Sequence, residues 1–234
     1  MEAIILAGGK AERLGAAAQG RPKALVEIAG RPLAAYQVEQ LAAAGVERVI
    51  VSCAAGQEEV FETALGGIGP EIVAVGEPEA LGRGGGARFA AGAQREDGSV
   101  IVVNGDELLD LDFTALMSAH DGLAGAATIV VAPLPTAFGV VDIADDDRVR
   151  GFEDSPRLPF WAHAGVTVLT NEGVERLPEK GDLERTTLPE LAAEGRLFAF
   201  RHQGVWLTVN TPKDLRVAEE YAMAHPEWPS RARD

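Results

Sequence analysis

A chain of 234 residues, 47% of them hydrophobic, is long enough for one large α/β domain with a sizeable core. Its formal charge of −15 excludes a nucleic-acid-binding or anionic-membrane-binding surface. Cys53 is the one cysteine, so no intrachain disulfide forms; after Val49-Ile50-Val51 it reads as a core thiol at a strand end. The start carries no basic, apolar leader, and no apolar run approaches the length of a transmembrane helix. A cytoplasmic protein is therefore expected.

Apolar runs predict strands over 2–7, 47–53, 71–76 and 99–103, with helices at 32–44, 57–65 and 84–94 between them. In the first helix Ala34, Val38 and Leu41 share one face. Strands alternating with helices imply a parallel sheet covered on both sides, with ligands beyond the carboxyl ends of the strands. Gly8-Gly9 and Asn104-Gly105-Asp106 both follow such ends and can face one crevice. After about residue 110 the pattern shifts to shorter strands at 126–132, 139–143, 148–153, 164–169 and 197–207, several of them antiparallel. Helices near 171–176, 187–194 and 212–224 follow, and 225–234 reads as a frayed tail.

The chemistry is concentrated at the first strand end. Ile4-Ile5-Leu6-Ala7 enters Gly8-Gly9, where a backbone without Cβ atoms can approach a ligand and aim its N–H groups at it. Arg13 and Lys23 can neutralise phosphate oxygens there. The plainer reading is a surface turn with two solvated cations. Asp106 ends a buried apolar run and is placed either to hold Mg²⁺ or to shape a turn. Glu107, Asp110 and Asp112 read as ordinary loop or helix-start acids. Thr211-Pro212-Lys213-Asp214 has the form of a helix start. No nucleophile elbow, zinc spacing or Walker A loop is present.

LAGGKAERL, at 6–14, followed by RPKALVEIAGRPLAAYQVEQL, resembles the start of the nucleotidyltransferases that make nucleoside-diphosphate sugars. Their usual form is LAGGxGTRL, then KPL and a G-x-P-L helix start. The likeness runs from about residue 2 to about residue 220. It implies a Rossmann-like three-layer α/β sandwich with a mixed, mostly parallel sheet, similar to GT-A folds and without the C-terminal β-helix of longer members. A single domain over 1–224 is expected, with a nucleotide-binding half to about 110 and a sugar-phosphate half from 111. Mannose-1-phosphate guanylyltransferases are among the similar proteins. The implied reaction joins a nucleoside triphosphate to a sugar 1-phosphate, of mannose or a related heptose or cyclitol, and releases pyrophosphate. Mg²⁺ is the implied cofactor, and a homo-oligomer is compatible.

The resemblance assigns roles residue by residue. Arg13 grips the leaving pyrophosphate, Lys23 the α-phosphate or pyrophosphate region, and Asp106 the metal. Leu6, Ala7, Gly8, Gly9 and Gly105 face the nucleotide, with Lys10 either a third phosphate contact or a solvated lysine. Glu79, Gly82 and Gly84 lie in a stretch similar to LGTxGA, where the glycines let a base lie against the backbone. Gly139 falls in a [YF]GVV-like segment, Glu153 and Asp154 where F-x-E-K-P is expected, and His163 and Gly165 where NAG is expected. Trp206 opens a segment similar to W-x-D-[IV]-G-T. These positions imply the sugar-phosphate side.

Departures from the pattern are specific. Ala11 replaces a glycine, and Ser155 replaces the lysine that binds the sugar phosphate, with Arg157 the nearby source of charge. Thr208 replaces the second metal-binding aspartate. Asn210, two residues on, either supplies a neutral metal oxygen or only shapes the helix start. Two alternatives follow: a guanylyltransferase of the molybdenum-cofactor type, similar at GGKAERLG and VNTPKDL, or a nucleotide-sugar-binding regulator without catalysis.

Overall fold

The computed structural model describes residues 1–9 and 11–228; Lys10 and the end of the tail lie outside them. Up to Asp121 the elements are β1 (Glu2–Leu6), β2 (Glu27–Ile28), β3 (Arg31–Pro32), α1 (Leu33–Ala43), β4 (Arg48–Ala54), α2 (Glu58–Leu65), β5 (Glu71–Glu77), α3 (Gly82–Ala91), β6 (Val100–Asn104), β7 (Glu107–Leu109) and α4 (Phe113–Asp121). Then come β8 (Ala127–Pro135), β9 (Val140–Ile143), β10 (Val149–Glu153), β11 (Arg157–Leu169), α5 (Asn171–Glu175), α6 (Thr187–Ala193), β12 (Leu197–Arg201), β13 (Trp206–Thr208) and α7 (Pro212–Ala224).

Seven strands form one sheet in the order β12-β8-β11-β6-β1-β4-β5. Only β11 runs against the others, so the sheet is mixed and mostly parallel. The period-2 alternation of β1 explains the layers. Ile5 faces Val51, Val103 and the α1 residues Val38 and Leu41. Ile4 faces the other way, with Ile50, Val102, the α3 residues Ala87 and Ala90, and Leu191 of α6. A third cluster joins Leu14, Ile28, Leu33, Tyr36, Val209 and the α7 residues Leu215 and Ala218.

The second half differs from expectation in three places. Within the main sheet a single strand is antiparallel, because β8 and β12 return parallel to β6. The stretch expected as one strand over 197–207 breaks at His202, whose backbone still donates to Val131, and resumes as β13 against β7. The tail is not frayed through Trp228: that side chain is buried, with its ring stacked 4.8 Å from Tyr36.

Helix α1 also fixes the loop that leaves β6. Buried Gln37 donates from Nε2 to the carbonyls of Asn104 (2.8 Å) and Glu107 (2.7 Å), and Gln40 donates to Leu109 (2.6 Å). Those carbonyls would otherwise be buried without donors. Gln37→Leu is expected to cost about 2–4 kcal/mol by stranding the Asn104 and Glu107 carbonyls. A thermal melt should show this as a fall in Tm of roughly 4–16 °C.

Candidate functional site

The carboxyl ends of β1, β5 and β6 open into a cleft of about 340 Å³. Leu6, Ala7, Gly8, Gly9, Arg13, Lys23, Glu77, Gly82, Arg83, Gly105, Asp106 and Asp182 are among its lining residues. The glycine turn is anchored from below, where Ala7 N–H donates to Ser52 O at 2.7 Å. Gly105 sits so close to β1 that a Cβ there would stand 2.7 Å from Leu6 O, while its N–H donates to that same oxygen at 2.9 Å. Any side chain at 105 would push the Asp106 turn away from the strand.

Four side chains converge at the cleft. Lys23 Nζ donates to Asp106 Oδ2 at 2.5 Å and to Asn210 Oδ1 at 2.6 Å. Arg13 Nη2 donates to the same Asn210 oxygen at 2.6 Å. These residues come from the two ends and the middle of the chain, and backbone register brings them together. Thr208 pairs with Glu107 across β13 and β7, and Val209 N–H donates to Asp106 O at 2.9 Å. That ladder sets Asn210 beside Asp106. The helix-start reading of the segment also holds: Thr211 Oγ1 and Asp214 form a reciprocal capping box, and Asn210 N–H donates to Asp214 Oδ2 at 3.1 Å. Asn210 therefore enters the helix through its backbone and holds both cations through its side chain.

Ala11 does not need the glycine conformation the pattern suggested; it sits at φ −81°, and the positive φ falls instead at Gly15. Among the other sequence candidates, Gly82 lines the cleft and Gly84 packs under it against the 178–183 loop. Glu79 does not line the cleft; it is exposed and paired with Lys180. Gly139, Glu153, Asp154 and Arg157 lie on or beside the exposed β9–β10 hairpin, outside the cleft. His163 is largely buried; its Nε2 lies 3.1 Å from Thr167 Oγ1, and burial lowers its pKa. Gly165, at φ +73°, leaves room for the Glu107 and Asn104 side chains.

The sequence reading missed two carboxyl groups. Glu107 is buried beneath Asp106, and burial first, then the Asp106 charge, pushes its pKa up to about 8. Trp206 Nε1 donates to its Oε2 at 2.7 Å, which gives Trp206 its place in the site. Glu77, at the end of β5, accepts from Ser52 Oγ (2.8 Å) and from Leu81 N–H (3.0 Å). A Cβ at Gly8 or at Gly86 would stand 2.9 or 2.8 Å from Glu77 Oε1. Glycine at both positions, one in the turn after β1 and one in α3, is thus what makes space for this carboxylate at the cleft wall, a signal present in the sequence but readable only with the fold.

The family profile described as nucleotidyl transferase matches residues 2–224. The chain belongs to the nucleotidyl transferase family. The mannose-1-phosphate guanylyltransferase of Mycobacterium tuberculosis is 32% identical over 228 residues, which span 92% of this chain and 62% of that protein. The Saccharomyces cerevisiae mannose-1-phosphate guanyltransferase is 31% identical over 226 residues, 92% of this chain and 63% of its own length. The chain thus spans less than two thirds of these curated relatives. Among solved structures, HddC from Yersinia pseudotuberculosis, also crystallised with GMP-PN, superposes with a TM-score of 0.73 at 24% identity, covering 94% of this chain and 98% of that one. A putative glucose-1-phosphate thymidylyltransferase from Bacillus anthracis gives a TM-score of 0.76 at 18% identity over 95% of each chain. At these identities the structures establish the shared fold, a mostly parallel three-layer sandwich.

Glu107 gives a pH signature in the metal-free protein. Its folded pKa lies above the ordinary carboxyl value, so the folded state holds a proton that the unfolded state has lost between about pH 4.5 and 8. Stability from this group is full below that window and is lost as pH rises through it. Glu107→Gln is expected to flatten this part of the stability profile, as measured by urea unfolding in EDTA from pH 5 to 9; an unchanged slope would count against the buried neutral carboxyl.

Proposed function

We propose that this chain condenses a nucleoside triphosphate, with preference for GTP, and a sugar 1-phosphate of the mannose class, releasing pyrophosphate in the cytoplasm. The observation that carries the reading is the convergence of Arg13, Lys23, Asp106 and Asn210 beside the Gly8-Gly9 turn. The names of the relatives support the substrate pair.

In this reaction an oxygen of the sugar phosphate attacks the α-phosphorus. The bond from that phosphorus to the bridging oxygen breaks, and its electron pair leaves with pyrophosphate. The attacking phosphate is already an anion near neutral pH, so no strong general base is required. Catalysis is then alignment and charge neutralisation. Arg13 and Lys23 supply fixed positive charge to the leaving side, and the Gly8-Gly9 backbone lets the phosphates approach closely.

Asp106 and Asn210 offer hard oxygen donors that suit Mg²⁺, sharing Lys23 as a partner at 2.5 and 2.6 Å. No group of three or more His, Cys, Asp or Glu side chains suited to a metal occurs among the described residues. That fits an ion held through one carboxylate and substrate phosphates rather than by a protein cage. Asp106, aided by Asn210, would hold it, and bound there it would neutralise phosphate charge.

Glu77 favours guanine among the bases. A carboxylate accepts and does not donate, and each oxygen of Glu77 has one lone pair beyond the bond it already accepts. Guanine presents two adjacent donors, N1–H and the 2-amino group. Uracil, adenine and cytosine each set a single donor group beside an acceptor.

A pyrophosphate-release screen crossing GTP, CTP, UTP, dTTP and ATP with sugar 1-phosphates tests the reading. Release is expected only when an acceptor is present, and fastest with GTP. Asp106→Ala is expected to slow it about 10²–10³-fold with an unchanged circular dichroism spectrum. Silence of the wild type across all pairs would overturn the reading. ITP, which lacks the 2-amino group, should bind the wild type about tenfold more weakly than GTP. The difference should shrink in Glu77→Gln; equal discrimination in both proteins would remove Glu77 from base recognition.

A further inference from the structure

We propose that Arg83 is the cation that receives the phosphate of the sugar-phosphate acceptor, a role that rests on the transfer reaction above. Joining two phosphates requires positive charge on two sides of the reacting centre. Among the described residues, the cations that line the cleft are Arg13, Lys23 and Arg83. The first two converge on one Asn210 oxygen and serve the nucleotide side. Arg83 is held by other partners, Asp182 and Glu184, in the first turn of α3.

The other candidates for the acceptor phosphate do not reach the cleft. Ser155 is uncharged and exposed, in a turn at φ +51°. Arg157 starts β11 beside Pro135 and is exposed outside the cleft lining. His163 is held inside by Thr167 and by the Val166 carbonyl, and burial favours its neutral form.

Arg83 is braced for the task. Its backbone N–H donates to Asp182 Oδ1 at 3.2 Å and its Nε to the same oxygen at 3.4 Å. Nη1 lies 2.8 Å from Glu184 Oε1. Asp182 lines the cleft, and Glu184 is also 3.8 Å from His163 Nδ1 of β11. The Arg83 side chain is still 46% exposed. With Nε on Asp182 and Nη1 beside Glu184, Nη2 is the guanidinium nitrogen left to donate to a second anion.

The backbone beneath it is rigid. Gly84 and Gly85 N–H both donate to Gly181 O, at 2.8 and 3.1 Å, and Gly181 N–H donates to Leu81 O at 2.7 Å. Arg83 therefore sits on the seam between the segment that follows β5 and the 178–184 loop. Its removal would do more than delete a contact. Asp182 and Glu184 would lose the guanidinium beside them and turn more negative charge toward an incoming phosphate.

The test is steady-state pyrophosphate release with GTP and mannose 1-phosphate, varying each substrate in turn. R83A is expected to raise the KM for mannose 1-phosphate about 30–100-fold and leave the KM for GTP within about twofold. R83K, which keeps the charge and loses the fork, is expected to raise it about 5–10-fold. An unchanged acceptor KM in both variants, or an equal rise for both substrates, overturns the proposal while wild-type turnover leaves the transfer reaction standing. Should R83A unfold by circular dichroism, the split between the two KM values in R83K decides. A wild type that releases no pyrophosphate with any acceptor overturns the functional reading and this proposal with it.

Discussion

Lys23 Nζ between Asp106 Oδ2 and Asn210 Oδ1 is the contact that organises this molecule. It is partly buried, with the lysine side chain only 12% exposed and the aspartate 29%. An ammonium so enclosed needs oxygen partners, and both of its partners arrive from distant segments. Asp106 is delivered by the end of β6 and Asn210 by the chain leaving β13. The short β7–β13 ladder keeps them in step. The buried glutamines of α1 hold the carbonyls of the β6–β7 connection, so helix packing and site geometry are one construction.

The seam between the earlier and later parts of the chain follows the same logic of close backbone approach. A Cβ at Gly82 would stand 2.8 Å from Gly181 O, and one at Gly84 2.9 Å from Leu183 N. The glycines after β5 therefore have a packing role of their own. They let the later loop settle directly on the first turn of α3, where Asp182 and Glu184 meet Arg83. Lys180 pairs with Glu79 at the exposed surface, outside the cleft lining.

Much of this was legible in sequence. The buried strands β1, β4 and β6 are long apolar runs with turn residues at their ends, and a parallel sheet places those ends on one side. That rule alone brings Gly8-Gly9 and Asp106 into one crevice. Arg13 and Lys23 were legible through the resemblance of LAGGKAERL and RPKAL to the family pattern, since a glycine turn beside two cations reads equally as a solvated surface turn. Glu107, Glu77 and Arg83 were not. Glu107 looks like any acid in a loop until β13 covers it, and three-residue strands leave no periodicity to read. Glu77 depends on space left by Gly8 and Gly86, which lie far apart in sequence. Arg83 depends on partners about a hundred positions away. The acceptor-side motifs at 138–157 were visible as patterns, yet they lie on a hairpin whose every strand residue is exposed.

The neutral side chain at 210 bears on how so acidic a protein could hold the polyanionic substrates of the proposed reaction. The chain carries a formal charge of −15, so positive potential has to be made locally. In the cluster of Arg13, Lys23, Asp106 and Asn210 there are two cations and one carboxylate. A second carboxylate in place of Asn210 would hold the same two cations by the same contacts but cancel their remaining charge. The amide oxygen positions both donors as a carboxylate would, at 2.6 Å each, without that cancellation. Its cost is weaker attraction for a metal ion. In the proposed reaction the net positive charge left on the two cations would compensate for it, because that charge would act on the phosphates directly.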